Sequence, residues 1–194
     1  MMTTVAPTDV QSLIARLRDA VLLGDVGAIT QRIKQDLEDF IPAEGLRLPE
    51  PFRQSRPDRY CRRLLHRDPE LGWTALIMTW AAGQRTALHD HSGIWCVEGV
   101  VEGEMAVTRY DLVDQPSDDA YRFVERDRVE AHAGSAGALI PPYEYHVLAN
   151  PCAERVALTL HVYGGEMDHC SIFQPQPSGL YRREVKTLTY DPIA

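Results

Sequence analysis

From about Tyr60 to Tyr163 the chain is a succession of short stretches rich in β-branched, aromatic and aliphatic residues, each closed by turn formers. This alternation limits the fold more than any other feature. Thr74 to Trp80, Gly93 to Val101, Met105 to Asp111, Tyr121 to Glu125, Ala138 to Ile140 and Val156 to Tyr163 read as strands. Ala82-Gly83, Glu102-Gly103-Glu104, Asp114 to Asp119, Gly134 to Gly137 and Asn150-Pro151 separate them. Many short strands with regular turns bury their apolar faces only in a sandwich or a barrel.

The segment before this region has a different period. Val10, Leu13, Ile14, Leu17 and Val21 repeat at the three-to-four spacing of a buried helical face, and Val26, Ile29, Ile33 and Leu37 resume it after Gly24. Thr8 with Gln11 forms a capping box at the start. Two amphipathic helices need a partner surface, which the strand-rich region supplies. Ile41 to Asp58, with Pro42, Pro49, Pro51 and Pro57, reads as a linker wrapping from helices to strands. The expectation is a single domain spanning 1–194: helices and linker over 1–58, a β-barrel over 59–175 and a C-terminal extension over 176–194, with no internal repeat.

Composition narrows the partners. With 44% hydrophobic and 25% charged residues the chain has what it needs to bury a core. A formal net charge of −8 argues against a phosphate-rich partner, so neither nucleic acid nor an anionic membrane is expected. No apolar run approaches the ~20 residues of a spanning helix, and Met1 to Asp9 lacks a secretory layout, so a cytoplasmic monomer is expected. The four cysteines, Cys61, Cys96, Cys152 and Cys170, form no C-x-x-C pair and read as thiols.

The chemistry is concentrated in histidines. His89 and His91, spaced i and i+2, project from one face if they lie on a strand, and can present two imidazoles to one point. A third ligand has to come from another strand, and His146, in the Pro-rich stretch Pro141 to Asn150, is the candidate. Gly83, His89, His91 and Gly103 fall at the spacings of the first cupin motif, and Pro141, His146 and Asn150 at those of the second. Where the first motif has its metal-binding glutamate this chain has Cys96, and where the second has glycine it has Tyr143. The expected site is therefore three neutral imidazoles with positions open on one face, and the bound ion keeps its full charge. Imidazole suits iron, zinc, copper and nickel, so the residues specify a site better than a metal.

Over roughly Tyr60 to Phe173 the chain resembles the thiol dioxygenases, and within them the cysteine dioxygenase family, in His-Asp-His at 89 to 91, Tyr-Cys-Arg at 60 to 62 and Thr-Leu-His-Val-Tyr at 159 to 163. The resemblance implies a mainly β, jelly-roll-like cupin barrel with N-terminal α-helices that holds Fe(II) and oxidises a small thiol with O2 to a sulfinic acid. It implies His89, His91 and His146 as iron ligands, Arg62 with Tyr60 as the clamp on the substrate carboxylate, and Tyr163, His161 and Thr159 as a hydrogen-bond relay. Cys96 matches the cysteine that is joined to the tyrosine by a thioether in the animal enzymes; here a cross-link and a buried thiol are both open. Cys170 matches a cysteine near the site entrance, and His66, His132 and His169 match no ligand position. Arg62 favours L-cysteine as substrate, giving cysteine sulfinic acid. Another small thiol carboxylate such as 3-mercaptopropionate, a different metal-dependent cupin enzyme, and a non-catalytic metal- or ligand-binding sensor are the competing expectations.

Overall fold

A computed structural model describes residues 8–193 and is mainly β, with two helices in front of the strands. The helices are α1 (Thr8–Val21) and α2 (Val26–Glu44). The strands are β1 (Cys61–Arg67), β2 (Thr74–Trp80), β3 (Leu88–His89), β4 (Cys96–Glu102), β5 (Glu104–Ser117), β6 (Ala120–His132), β7 (Ala136–Leu139), β8 (His146–Ala149), β9 (Ala157–Tyr163), β10 (His169–Pro175) and β11 (Tyr181–Thr187). One sheet has the order β1-β2-β9-β4-β7, and the second closes on itself in the order β10-β11-β6-β5-β8-β3. This is the expected β-barrel with N-terminal helices. Among the described residues no helix is long and apolar enough to cross a membrane.

The five-stranded sheet is buried on both faces, and the two faces do different things. Ala75, Ile77, Val97, Leu158, Leu160 and Val162 point outward and form one core with Leu13, Leu17, Ile33 and Leu37 of the helices. Their neighbours Leu76, Met78, Cys96, Thr159, His161 and Tyr163 fall on the opposite face, because successive strand residues alternate. The amphipathic helices thus cover the outside of this sheet, and burying each such Leu or Ile contributes about 1.5–3 kcal/mol. Gly99 lets α2 approach closely: a Cβ there would lie 3.0 Å from Leu37 Cδ1. Val26, read as part of the buried stripe, lies at the helix start and is 39% exposed. The capping box at Thr8 and Gln11 involves a side chain outside the described residues.

Several boundaries differ from the sequence reading for identifiable reasons. The second helix runs through Pro42 to Glu44 and is closed by Gly45, whose N–H donates to the Ile41 carbonyl at 3.1 Å. The linker is fixed by β1 and β2: the Arg63 guanidinium donates to the Gln54 carbonyl at 2.7 Å, and Thr79 Oγ1 to that of Phe52 at 2.6 Å. Strands β5 and β6 extend well beyond Asp111 and Glu125 into a long hairpin. Tyr121 and Phe123 keep one apolar face there, but most residues over 113–119 and 124–130 are exposed and cross-strand ion pairs, Arg109 with Asp127 and Arg126 with Asp111, hold the middle of the ladder, so the alternation that signals a half-buried strand fades. At the turn from β4 to β5, Gly103 has φ +80° and a Cβ on it would sit 3.1 Å from the Ala157 backbone, so glycine is required on both counts.

Candidate metal centre

His89 ends β3, and His146 opens β8; the two are partners in the ladder between those strands. His91 lies beyond the end of β3, in a loop, so the alternation that paired it with His89 is corrected here. The loop is held by Asp90 instead. One oxygen of its carboxylate accepts from the Ser171 N–H at 2.8 Å and the Ser92 N–H at 3.2 Å, and its own N–H donates to the Ser171 carbonyl at 3.1 Å. Ser92 takes a positive φ of 52° to complete the turn. This local hydrogen bonding of an Asp side chain to the backbone replaces the ladder and swings His91 to the same point as its partners.

The three imidazoles converge. Ring centroids lie 4.5 Å (His89 to His146), 5.0 Å (His91 to His146) and 5.4 Å (His89 to His91) apart, and one nitrogen from each lies within 4.8 Å of the others. His89 Nδ1 is 3.1 Å from the Ala87 carbonyl and His146 Nδ1 2.7 Å from that of Glu144. Those contacts put the proton on Nδ1 and leave Nε2 as a lone pair. Among the described residues, both ring nitrogens of His91 and Nε2 of His146 are buried without a hydrogen-bond partner. Burial, and then the neighbouring His146, push His89 down to about 3, and burial likewise holds His91 well below its usual range, so both are neutral and ligand-competent at physiological pH. Buried, convergent and unpartnered nitrogens are what a transition-metal ion needs, and the residues fit one.

Glu98 approaches the same imidazoles and was not anticipated from sequence. It stands two residues beyond Cys96 on the same face of β4, where it is the ladder partner of His161. Its Oε1 lies 3.3 Å from His146 Nε2 and 3.1 Å from His161 Nδ1, with only 11% of the side chain exposed. Burial opposes its ionisation, but the adjoining His146 and His161 outweigh it and hold the carboxyl well below the usual carboxylate range. The same carboxylate outweighs burial at His146 and raises its pKa. Alternation from Cys96 is the signal in the sequence that points to Glu98.

The remaining expected residues gather around this centre. Thr159 Oγ1 lies 2.7 Å from His161 Nε2 and accepts from the Trp80 indole N–H at 2.9 Å, while Tyr163 Oη lies 3.4 Å from His161 Nδ1. Cys96 and Tyr163 are both buried and are ladder partners. Burial pushes the Cys96 thiol and the Tyr163 phenol well above their usual ranges. A cavity of about 100 Å³ over the centre is lined by Tyr60, Arg62, His89, Glu98, His161, Tyr163 and Cys170, with Arg85 and Lys186, not anticipated from sequence, among its other walls.

Arg62 is oriented by carbonyls: its guanidinium donates to Met167 O at 2.9 Å and Thr189 O at 3.3 Å, while its buried Nε–H has no partner among the described residues. Tyr60 stacks on Trp80 with centroids 4.6 Å apart. Burial raises the Cys170 thiol to about 11. The other histidines stand apart from the centre: His66 packs on Trp73, and His169 pairs with Asp168 on the surface. His132, at the end of β6, is exposed.

Residues 50–176 match the sequence model of a family described as cysteine dioxygenase type I. The chain is 27% identical to cysteine dioxygenase type 1 of Rattus norvegicus and of Mus musculus over 116 residues, 59% of this chain and 56% of each relative. It thus spans little more than half the length of those curated relatives. Among solved structures it is similar to TT1209 from Thermus thermophilus, with 18% identity, coverage of 61% of this chain and 94% of that one, and a TM-score of 0.46. A conserved Klebsiella pneumoniae protein with a double-stranded β-helix domain is similar at 12% identity, 63% and 85% coverage and a TM-score of 0.46.

Proposed function

The chain belongs to the cysteine dioxygenase type I family, and we propose that it is a non-haem Fe(II) thiol dioxygenase converting a small thiol carboxylate, L-cysteine in the first instance, to its sulfinic acid. The overall change is R–SH plus O2 to R–SO2H. Both oxygen atoms pass to sulfur, which gives up the electrons that O2 takes, so no further reductant is needed. The observation that carries the proposal is the set of buried, unpartnered imidazole nitrogens of His91 and His146 converging with His89 beneath a small cavity that Arg62 lines.

His89, His91 and His146 would hold the ion. When bound, Fe(II) supplies the one-electron chemistry that lets O2 react with a thiol. The protein's own residues then bind and orient. The free Nε–H of Arg62 offers a charge-assisted donor to a substrate carboxylate, while one hydrogen bond from each terminal nitrogen to a carbonyl keeps the guanidinium plane from swinging. Tyr60 lines the same cavity. Tyr163 can donate from its phenol into the cavity, with His161, braced by Thr159 and Trp80, holding the hydroxyl's direction. The phenol's raised pKa keeps its proton in place as a donor. The small volume of the cavity limits water around the reacting sulfur.

The test is O2 uptake by the anaerobically iron-loaded protein with L-cysteine and 3-mercaptopropionate in parallel, with products identified by mass. Uptake matched by a product carrying both oxygen atoms supports the proposal. Absence of uptake with both thiols, in a protein that has bound iron, refutes it in favour of another cupin activity or a binding role.

A further inference from the structure

Acids outnumber bases in this chain by 28 to 20, yet the cavity over the centre reverses that balance: Arg62, Arg85 and Lys186 line it against one carboxylate, Glu98. We propose that the substrate is a small thiol with two carboxylates, one taken by Arg62 and the other by Lys186 and Arg85 at the rim. The proposal rests on the reading of the centre as that of a thiol dioxygenase and narrows its substrate class.

Lys186 is placed by strand pairing. It is the ladder partner of Cys170, and opposite residues of an antiparallel pair share a face, so its side chain rises from the wall that Cys170 and Ile172 form. Arg85 enters from another wall, ahead of β3, with β10 between it and β11. Its backbone bridges to Ala149, and its neighbours are fixed: the Thr86 N–H donates to the Leu148 carbonyl at 2.9 Å and the Asn150 N–H to that of Gln84 at 2.9 Å. Among the described residues neither Lys186 nor Arg85 has an acidic partner, and Arg62 donates to carbonyls only. Acids are at hand elsewhere: Arg67 pairs with Glu166 and Arg126 with Asp111. A cleft lined by one sign of charge and walled by apolar groups, here Met78, Leu148, Ile172 and Leu188, concentrates ligands of the opposite sign.

Size and charge together set the ligand. One water needs about 10–15 Å³ of such space, so a cavity of about 100 Å³ holds roughly seven to ten non-hydrogen atoms. That admits the short skeleton of a thiol diacid such as mercaptosuccinate and excludes a nucleotide or a peptide. Arg62 is buried with its Nε–H free, and takes one carboxylate through a charge-assisted hydrogen bond. Lys186 and Arg85 are exposed, so the second carboxylate is held where water still reaches it and adds less. A thiol with one carboxylate leaves both rim cations unused.

The experiment uses a matched pair, 3-mercaptopropionate and mercaptosuccinate, which carries one further carboxylate on the carbon bearing sulfur, with L-cysteine as a third thiol. Binding is read by anaerobic titration calorimetry and KM by O2 uptake, on the iron-loaded full chain, for wild type, Lys186→Gln, Arg85→Gln and the double variant. In wild type the diacid is expected to bind about threefold to tenfold more tightly than either monoacid, with the ratio falling in each single variant, reaching about one in the double variant, and shrinking as salt is raised. No preference for the diacid in wild type overturns the proposal, as does a preference that survives in the double variant; O2 uptake with the monoacids in either case leaves the dioxygenase reading standing. The calorimetry needs no turnover. A preference for the diacid that the double variant loses, in a protein that consumes no O2, would therefore retire the dioxygenase reading and leave the site for two carboxylates standing.

Discussion

Cys96 and Tyr163 face each other as direct partners across β4 and β9, and both are buried. Opposite residues in an antiparallel pair bring their Cβ atoms to about 5 Å, within reach of a bond from sulfur to the ring carbon next to the hydroxyl. Forming that thioether removes two hydrogen atoms, for which O2 is the oxidant. The expected outcome after aerobic turnover with iron is a species lighter by those hydrogens, mapped by peptide mass spectrometry to the segments holding Cys96 and Tyr163, and absent from Cys96→Ser. A wild-type mass that stays unchanged through prolonged turnover would show the pair to be a packed thiol and phenol.

Arg62→Gln removes the guanidinium without emptying its space. Loss of a charge-assisted hydrogen bond is worth about 1.5–3 kcal/mol, so KM for a thiol carboxylate should rise about tenfold to a hundredfold, with iron content unchanged. Cysteamine, which lacks the carboxylate, should show little change. Equal KM increases for the two thiols would remove Arg62 from the role of clamp.

His146→Ala should abolish metal binding and O2 uptake together, because its Nε2 is one of the convergent unpartnered donors. His169→Ala, at an exposed position beside Asp168, should leave both as they are. Metal content by atomic absorption and O2 uptake, measured on the same samples, decide between the two behaviours.

Asp191 ties the C-terminal segment to the start of β1. It accepts from the Arg59 guanidinium at 2.9 and 2.5 Å and from the Arg62 backbone N–H at 2.9 Å. The Arg59 hydrogen bond, against the opposing effect of burial, holds the carboxyl below its usual range. A depressed folded value means the stabilisation is fully present above the unfolded pKa of about 4 and is lost as pH falls through the folded value. Asp191→Asn should therefore cost about 1–3 kcal/mol in urea unfolding at pH 7, and the gap to wild type should narrow as the pH is lowered below about 4. A gap that is constant with pH would mean that shape rather than charge is what Asp191 contributes.

Leu37→Ala opens a cavity between α2 and the outer face of the five-stranded sheet, where Leu37 is fully buried. The expected cost is about 2–5 kcal/mol, read by chemical denaturation, with metal content retained because the helices and the metal centre lie on opposite faces of that sheet. Loss of metal in a folded variant would mean that the helices shape the centre as well as cover the sheet.

Much of this molecule is legible in its sequence because the relevant signals are local. The spacing of Leu13, Leu17, Ile33 and Leu37 identifies a helical face without knowledge of its partner. Thr74 to Trp80 carries enough β-forming residues to be bounded correctly. The two histidine-bearing segments join into one site because their order and spacing match a known pattern. Strands β10 and β11 escape such a reading, since β11 is largely exposed and presents no apolar alternation. The long hairpin is underestimated because its exposed stretches lack apolar alternation and ion pairs hold the middle of its ladder.

The class of fold, the two helices and the three imidazoles were thus written in the chain itself, since alternation, helical period and motif spacing are properties of neighbouring residues. That Glu98 stands beside His146 and His161 was settled by folding alone. Glu98 lies seven residues beyond His91 and far from His146 along the chain. Only the register of β4 against β9 and the closure of the second sheet bring its oxygen to 3.3 Å from His146 Nε2. The approach of that carboxylate is therefore a consequence of strand pairing, which distant residues set together and no short stretch of sequence contains.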